Sequence, residues 1–343
     1  MAVTWGSGSG SSNPHYVGID YSINSARTQI TWAFYVRATY PVSDNQTLTL
    51  TGALSGSYNY FKDGPAQQHI VTRTQNVSPG QTTSVGAKVS GVYNGGTPSH
   101  SRSVTVPPVV PSAPGTASVT SLGSTSASVT WNAPSNNGGS PIIEYQHQRA
   151  RNSSFTSGAV AYTQTSRSKT HTGLDPGTTY YVRTRARNSA GWSGWSGTRS
   201  FTTDPLPPLA PGGTSVSLVG NQPRMEWSAA ATRGTPVTGY QLQRAYNSSF
   251  TSGVATSATL AASARSYTFT GTLTPGSTVY MRVRANSAAG WGAWSTVRSV
   301  LIPGGVWAKV SGSWRRGETV WVKVSGSWRQ GRVYVKVGGS WRG

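Results

Sequence analysis

The chain has no cysteine in its 343 residues, so no disulfide staples a small fold and the cysteine-ligated structural zinc sites are excluded. Its domains must close on hydrophobic cores alone, and nothing implies passage through an oxidising compartment. Acidic residues are also scarce: eight Asp and Glu stand against 29 Lys and Arg, a formal charge of +21. Those eight (Asp20, Asp44, Asp63, Glu144, Asp175, Asp204, Glu226 and Glu318) are isolated from one another in sequence, a thin supply for paired-carboxylate chemistry. The histidines His15, His69, His100, His147 and His171 show no metal-ligand spacing. No apolar run approaches a membrane span, and the opening Met1-Ala-Val-Thr-Trp-Gly-Ser7 lacks the basic and apolar regions of a signal peptide. No stretch has a helical period with caps, so no glycine-rich turn enters a helix to cradle a phosphate. These absences predict a non-enzymatic protein with no cofactor and no metal site, made and folded in a cytosol.

What remains is rich in Ser, Thr, Val and Gly, with 16 Tyr and 13 Trp. β-branched and aromatic residues favour strands, and Gly, Ser and Pro favour turns, so the expected fold class is all-β. The end of the chain repeats itself three times. Val306-Trp-Ala-Lys-Val-Ser-Gly-Ser-Trp-Arg315 returns as Val320-Trp-Val-Lys-Val-Ser-Gly-Ser-Trp-Arg329 and as Val333-Tyr-Val-Lys-Val-Gly-Gly-Ser-Trp-Arg342. Each copy alternates with period two, meets a Ser-Gly or Gly-Gly pair suited to a tight turn, and starts a return strand at Ser-Trp-Arg. A lone hairpin is marginal in water, so residues 305–343 read as a three-copy hairpin repeat that stacks on itself or on other chains. Trp307, Trp314, Trp321, Trp328, Tyr334 and Trp341 are its assembly candidates.

A second duplication fills the middle. Trp131-Asn-Ala-Pro134, Pro141-Ile-Ile-Glu-Tyr145 and Arg149-Ala-Arg-Asn-Ser-Ser-Phe-Thr-Ser-Gly158 recur as Trp227-Ser-Ala, Pro236-Val-Thr-Gly-Tyr240 and Arg244-Ala-Tyr-Asn-Ser-Ser-Phe-Thr-Ser-Gly253. Leu174-Asp-Pro-Gly-Thr-Thr-Tyr-Tyr-Val-Arg-Thr-Arg-Ala-Arg-Asn188 recurs as Leu273-Thr-Pro-Gly-Ser-Thr-Val-Tyr-Met-Arg-Val-Arg-Ala-Asn286. An early Trp and a Leu-x-Pro-x-Thr-x-Tyr-x-Val stretch resemble the fibronectin type III domain, over 111–204 and 209–302. The resemblance implies two tandem sandwiches and leaves the function open. In copy two Val279 stands where the corner tyrosine belongs, so that copy is expected to lack the corner hydrogen bond. Pro107-Pro-Val-Val-Pro111 and Asp204-Pro-Leu-Pro-Pro208 read as short connectors. Residues 1–106 alternate over Thr28–Tyr40 and Thr47–Thr51, as a third β-sandwich without the fibronectin hallmarks.

An N-terminal β domain, fibronectin domains and short Val-x-Val-Lys-Val repeats together look like minor tail or fibre proteins of tailed bacteriophages, particularly those of actinobacteria. That resemblance implies a structural component of the virion, on tail or capsid surface and synthesised in the host cytoplasm. Its partners would be other virion proteins and further copies of itself, with a trimer favoured and the N-terminal domain docking. Two alternatives stay open: a capsid decoration or head fibre, and a secreted carbohydrate-binding accessory module.

Three further patterns bear on binding. Trp192-Ser-Gly-Trp-Ser196 and Trp291-Gly-Ala-Trp-Ser295 follow arginine-bearing strands. Trp192 and Trp195 with Arg183, Arg185 and Arg187, and Trp291 and Trp294 with Arg282 and Arg284, are expected to alternate as stacked ladders. The first motif is similar to the Trp-Ser-x-Trp-Ser element of cytokine-receptor fibronectin domains, without their cysteines. Tyr58, Tyr60 and Phe61 are candidates for glycan contact, against a plain reading as cross-strand packing. The positive charge attracts bacterial cell-wall polyanions, or serves only solubility. It is scattered over all four segments, so no dedicated nucleic-acid binding is expected.

Overall fold

A computed structural model describes residues 3–6, 15–38, 46–60, 67–90 and 97–304, together with the backbone of the strands between 306 and 342. Side chains at 15, 38 and 60 and beyond 305 are outside that description. All regular structure among the described residues is β-strand.

The N-terminal module holds β1 (Thr4–Trp5), β2 (His15–Ile23), β3 (Gln29–Ala38), β4 (Gln46–Gly52), β5 (Gly56–Tyr60), β6 (Gln68–Asn76), β7 (Thr82–Ser90) and β8 (Ser99–Thr105). They form two antiparallel sheets, β1-β2-β3-β6 and β5-β4-β7-β8. Period-two sequence creates the layers: Ile30, Trp32, Phe34 and Val36 on β3 are fully buried, while the residues between them face away. They share one core with Val17 and Ile19 of β2, Leu48 and Leu50 of β4, and Val85, Ala87 and Val89 of β7.

The second module holds β9 (Ser118–Leu122), β10 (Ala127–Thr130), β11 (Glu144–Ala150), β12 (Val160–Gln164), β13 (Ser168–His171), β14 (Thr179–Asn188), β15 (Gly191–Trp192) and β16 (Arg199–Thr202). Its sheets run β13-β10-β9 and β12-β11-β14, with β15 and β16 both pairing to β14. Trp131, only 4% exposed, fills the centre. It meets Tyr145 edge-on at 6.0 Å and stacks flat on His147 at 5.1 Å. His147 is fully buried, and its Nδ1 lies 3.1 Å from Thr184 Oγ1.

The third module holds β17 (Ser215–Val219), β18 (Gln222–Glu226), β19 (Val237–Ala245), β20 (Ala255–Thr256), β21 (Leu260–Ala261), β22 (Ser266–Thr268), β23 (Thr278–Ser287), β24 (Gly290–Trp291) and β25 (Arg298–Leu301). Its sheets are β17-β18-β22 and β20-β19-β23-β24, with β21 on β19 and β25 on β23. Trp227 takes the central place against Tyr240 at 5.5 Å. Here Leu242 and Val283 are cross-strand partners where module two pairs His147 with Thr184, so the same site is built apolar in one copy and polar in the other.

Two sequence expectations change. The first module does carry hallmarks of the other two. Its strand order is the same once β1 is set aside, and Trp32 is buried on the central strand of its sheet. Val77-Ser-Pro-Gly80 forms the same corner as Leu174-Asp-Pro-Gly177 and Leu273-Thr-Pro-Gly276. At each corner the glycine is in the left-handed region (φ 79°, 59° and 74°). Its N–H donates to the end of its own module: Gly80 to Val106 O, Gly177 to Asp204 O and Gly276 to Ile302 O. A Cβ is disfavoured there, which explains the shared Pro-Gly. Thr83 replaces the tyrosine that made this corner recognisable in module two, and so the match is muted.

The second change is in module three. Val279 does replace the corner tyrosine, yet the corner is tethered. The Thr274 N–H donates to the Tyr246 hydroxyl at 3.2 Å, from the end of the neighbouring strand β19. Hydrogen bonds with Thr274, aided by the charge of Arg244, hold the Tyr246 phenol below its usual range against the opposing effect of burial.

The last forty residues contain three separate two-stranded antiparallel sheets. Val306–Val310 pairs Ser313–Gly317, Val320–Val324 pairs Ser327–Gly331, and Val335–Val337 pairs Ser340–Arg342. The innermost partners of the first two are Val310↔Ser313 and Val324↔Ser327.

Two substitutions test these packings. Trp131→Ala empties the centre of module two and is expected to cost about 3–5 kcal/mol, read as a lowered thermal transition. Tyr246→Phe removes the hydroxyl that tethers the corner of module three and should cost about 1 kcal/mol in denaturant unfolding; an unchanged midpoint would show that the tether is idle.

Candidate functional site

The most organised surface lies on the outer faces of β14 and β23. On β14 Tyr180, Val182, Thr184 and Ala186 point into the core, which sends Arg183, Arg185 and Arg187 outward in a row. A row of like charges on one strand repels itself, so something must separate the guanidiniums. The chain following β14 supplies it. Ser193 N donates to Ala186 O, and Ser196 N to Thr184 O. The Ser193 and Ser196 hydroxyls in turn accept from the N–H groups of Ala186 and Thr184. The two serines thus hold the segment after β15 against β14, and Trp192 and Trp195 lie across the arginine row.

The result is a continuous stack. Arg183 sits 4.0 Å from the Phe155 ring centroid and 4.4 Å from Trp195. Arg185 sits 4.6 Å from Trp195 and 4.8 Å from Trp192, and Arg187 is 5.7 Å from Trp192. Module three repeats it with one rung fewer. Arg282 lies between Phe250 (4.0 Å) and Trp294 (4.6 Å), and Arg284 between Trp294 (4.4 Å) and Trp291 (4.7 Å). Asn286 replaces the outermost arginine. Every arginine and tryptophan expected in the ladders is therefore in them.

Two components escaped the sequence reading. Phe155 and Phe250 begin the stacks from the loops Asn152–Gly158 and Asn247–Gly253, identical heptapeptides in the two copies. Both phenylalanines have φ of 58°, an uncommon conformation for a bulky residue. The Asn152 side chain holds the first loop, accepting from Thr156 N and Ser157 N, and Asn247 does the same for Thr251 N and Ser252 N. The identity of the two heptapeptides was the available signal.

The second missed component is glutamine. Across the strands Gln148 faces Arg183, Gln146 faces Arg185, Gln243 faces Arg282 and Gln241 faces Arg284. Each Oε1 accepts from its arginine at 2.7–3.1 Å. Only the outermost rung has an acid, Glu144, paired to Arg187 at 2.9 Å. Partial burial, followed by the charge of the neighbouring arginine, lowers the pKa of Arg183 and of Arg282 from the usual arginine value.

Other candidates are placed differently. Tyr58 packs against the first module's core, and the Arg73 guanidinium lies 4.9 Å from its ring centroid, so it does not offer a free stacking face. Tyr60 pairs Gln46 in the backbone, with its side chain outside the described residues, as is Phe61 altogether. The side chains of Trp307, Trp314, Trp321, Trp328, Tyr334 and Trp341 also lie outside them. In the first module Arg37 lies 4.8 Å from both Trp5 and Tyr16, so internal cation–π pairing recurs there. A cleft of about 610 Å³ is lined by Trp5, Thr51, Gly86, Lys88, Ser99 and His100, among others. Burial first, and then Arg102, lowers the His100 pKa. Among the described residues no cluster of His, Cys, Asp or Glu could hold a metal ion, and no helix is long and apolar enough to cross a membrane.

Trp195 separates two guanidiniums, so Trp195→Ala removes two stacked contacts and lets like charges face each other. A loss of about 1–2 kcal/mol is expected in thermal or denaturant unfolding, larger at low salt than at high salt. Trp294→Ala should behave alike in module three.

Comparison with protein families matches the fibronectin type III domain to residues 112–202 and 209–300, together more than half of the chain. Both matched stretches contain the central tryptophan, the Pro-Gly corner and the strand order described above. The chain belongs to the fibronectin type III family.

Proposed function

We propose that this chain is a non-enzymatic structural component of a phage virion, a minor tail protein that helps assemble the particle and makes weak, multivalent contact with the host envelope. A modular binding or structural role follows from its fibronectin type III domains. The finer reading is carried by one observation: sandwich modules of a shared strand order follow one another along the sequence and precede three near-identical hairpin repeats. That organisation suits a part that is positioned and touched. The hairpins are the proposed contact between copies, about a threefold axis, and the N-terminal module is the proposed docking element. Many copies on one particle turn feeble single contacts into useful avidity. The charge of +21 favours an anionic envelope.

Electron microscopy of virions labelled with an antibody to this chain tests the reading. Label on tails is expected. Label confined to heads would move the protein to capsid decoration. Unlabelled particles, with the chain recovered instead beside secreted hydrolases, would make it a carbohydrate-binding accessory.

A further inference from the structure

The ladders hold more positive charge than their stacking requires. A glutamate opposite each arginine would give a cross-strand ion pair and cancel the charge. Four of the five positions carry glutamine, which accepts a hydrogen bond and leaves the charge in place. Module two therefore retains three arginines against Glu144 alone, and module three two arginines against no acid in the row. Indole and phenyl rings cover the flat faces of the guanidiniums, so the polar edges are what remain to make contacts. Arg183 and Arg185 each donate only Nε to glutamine, and their terminal NH₂ groups have no hydrogen-bond partner among the described residues. Arg282 and Arg284 keep Nη1 in the same condition. All four arginines are half-buried, which leaves part of each guanidinium edge open to solvent.

Stacking also fixes the spacing. Residues two apart on a strand are about 7 Å apart, so each ladder is a rigid row of guanidinium edges with a regular repeat. Such a row has lost its rotamer freedom in advance, which removes part of the cost of binding. Its terminal NH₂ donors suit the paired oxygens of a phosphate.

We propose that the two ladders are binding strips for a linear phosphate-ester polymer, whose successive phosphates along an extended polyol backbone recur on the scale of the arginine repeat. The polymer's phosphates relieve the repulsion within each row. This deepens the adhesion half of the reading above and rests on it only for the source of the polymer.

The test uses the full chain and long-chain inorganic polyphosphate as probe, followed by calorimetry at several salt concentrations. In one variant Gln146→Glu, Gln148→Glu, Gln241→Glu and Gln243→Glu give each arginine an internal carboxylate and leave the stacks intact. A loss of affinity of at least about tenfold is expected, with the slope of log K against log salt falling by about 3 for four neutralised contacts, and no drop in melting temperature. A control removes the same net charge elsewhere, through Lys88→Gln, Arg167→Gln, Arg199→Gln and Arg233→Gln, and should weaken binding less than about threefold. Equal losses in variant and control would overturn the proposal, since net charge alone would then explain binding. Poly-glutamate bound as tightly as polyphosphate would overturn the phosphate assignment. Strip-dependent binding by a chain that labels no virion would keep this inference and sink the virion reading. Labelled virions with strip-independent binding would do the reverse.

Discussion

Each fibronectin module depends on one strand being used on both sides. The inward residues of β14 and β23 close a core around a tryptophan, and the outward residues form a charged row. Burial on one side makes the row's register non-negotiable, because a slip of one residue would send arginine into the core. The fixed register then lets tryptophans from the segment that follows intercalate between guanidiniums. With no disulfide in the chain, this coupling of core and face does part of the work that covalent closure does in other small sandwiches.

The two fibronectin copies show which parts of that arrangement are interchangeable. The central pair is His147 with Thr184 in one and Leu242 with Val283 in the other, and the tryptophan beside it is buried equally. The tether of the Pro-Gly corner in module three comes from Tyr246, just past the end of β19, while Val279, in the place of the corner tyrosine, lies on β23. By contrast, the ladder keeps its phenylalanine, its two tryptophans and two arginines, and its glutamines. The core tolerates chemical substitution as long as it stays filled. The face retains two of its three arginine rungs, each with its glutamine, and it is the face that a partner would meet.

The first module joins this scheme through its backbone more than through its residues. It has the strand order, the buried tryptophan and the positive-φ glycine corner, and it has its own arginine between aromatic rings, Arg37 with Trp5 and Tyr16. It lacks the corner tyrosine and the paired tryptophans. Thus three modules share a way of closing sheets, and two of them share an ornament on the outer face.

Alternation with period two, turn residues and two internal duplications were enough to give the all-β class, the sandwich type and the arginines and tryptophans of both ladders, because these are local patterns. Trp192 to Trp195 and Arg183 to Arg187 are close in sequence, so their spacing alone brought them together. Phe155, Phe250 and the four glutamines were out of reach, since each meets its arginine only through the pairing of β11 with β14 or of β19 with β23, or through a loop about thirty residues away. Tyr246 at the corner and the strand order of the first module were hidden for the same cause. Spacing along a strand is set by backbone geometry and is written in the sequence, while the partner across the sheet is set by how distant segments bury their apolar sides together, and that is decided only when the chain folds.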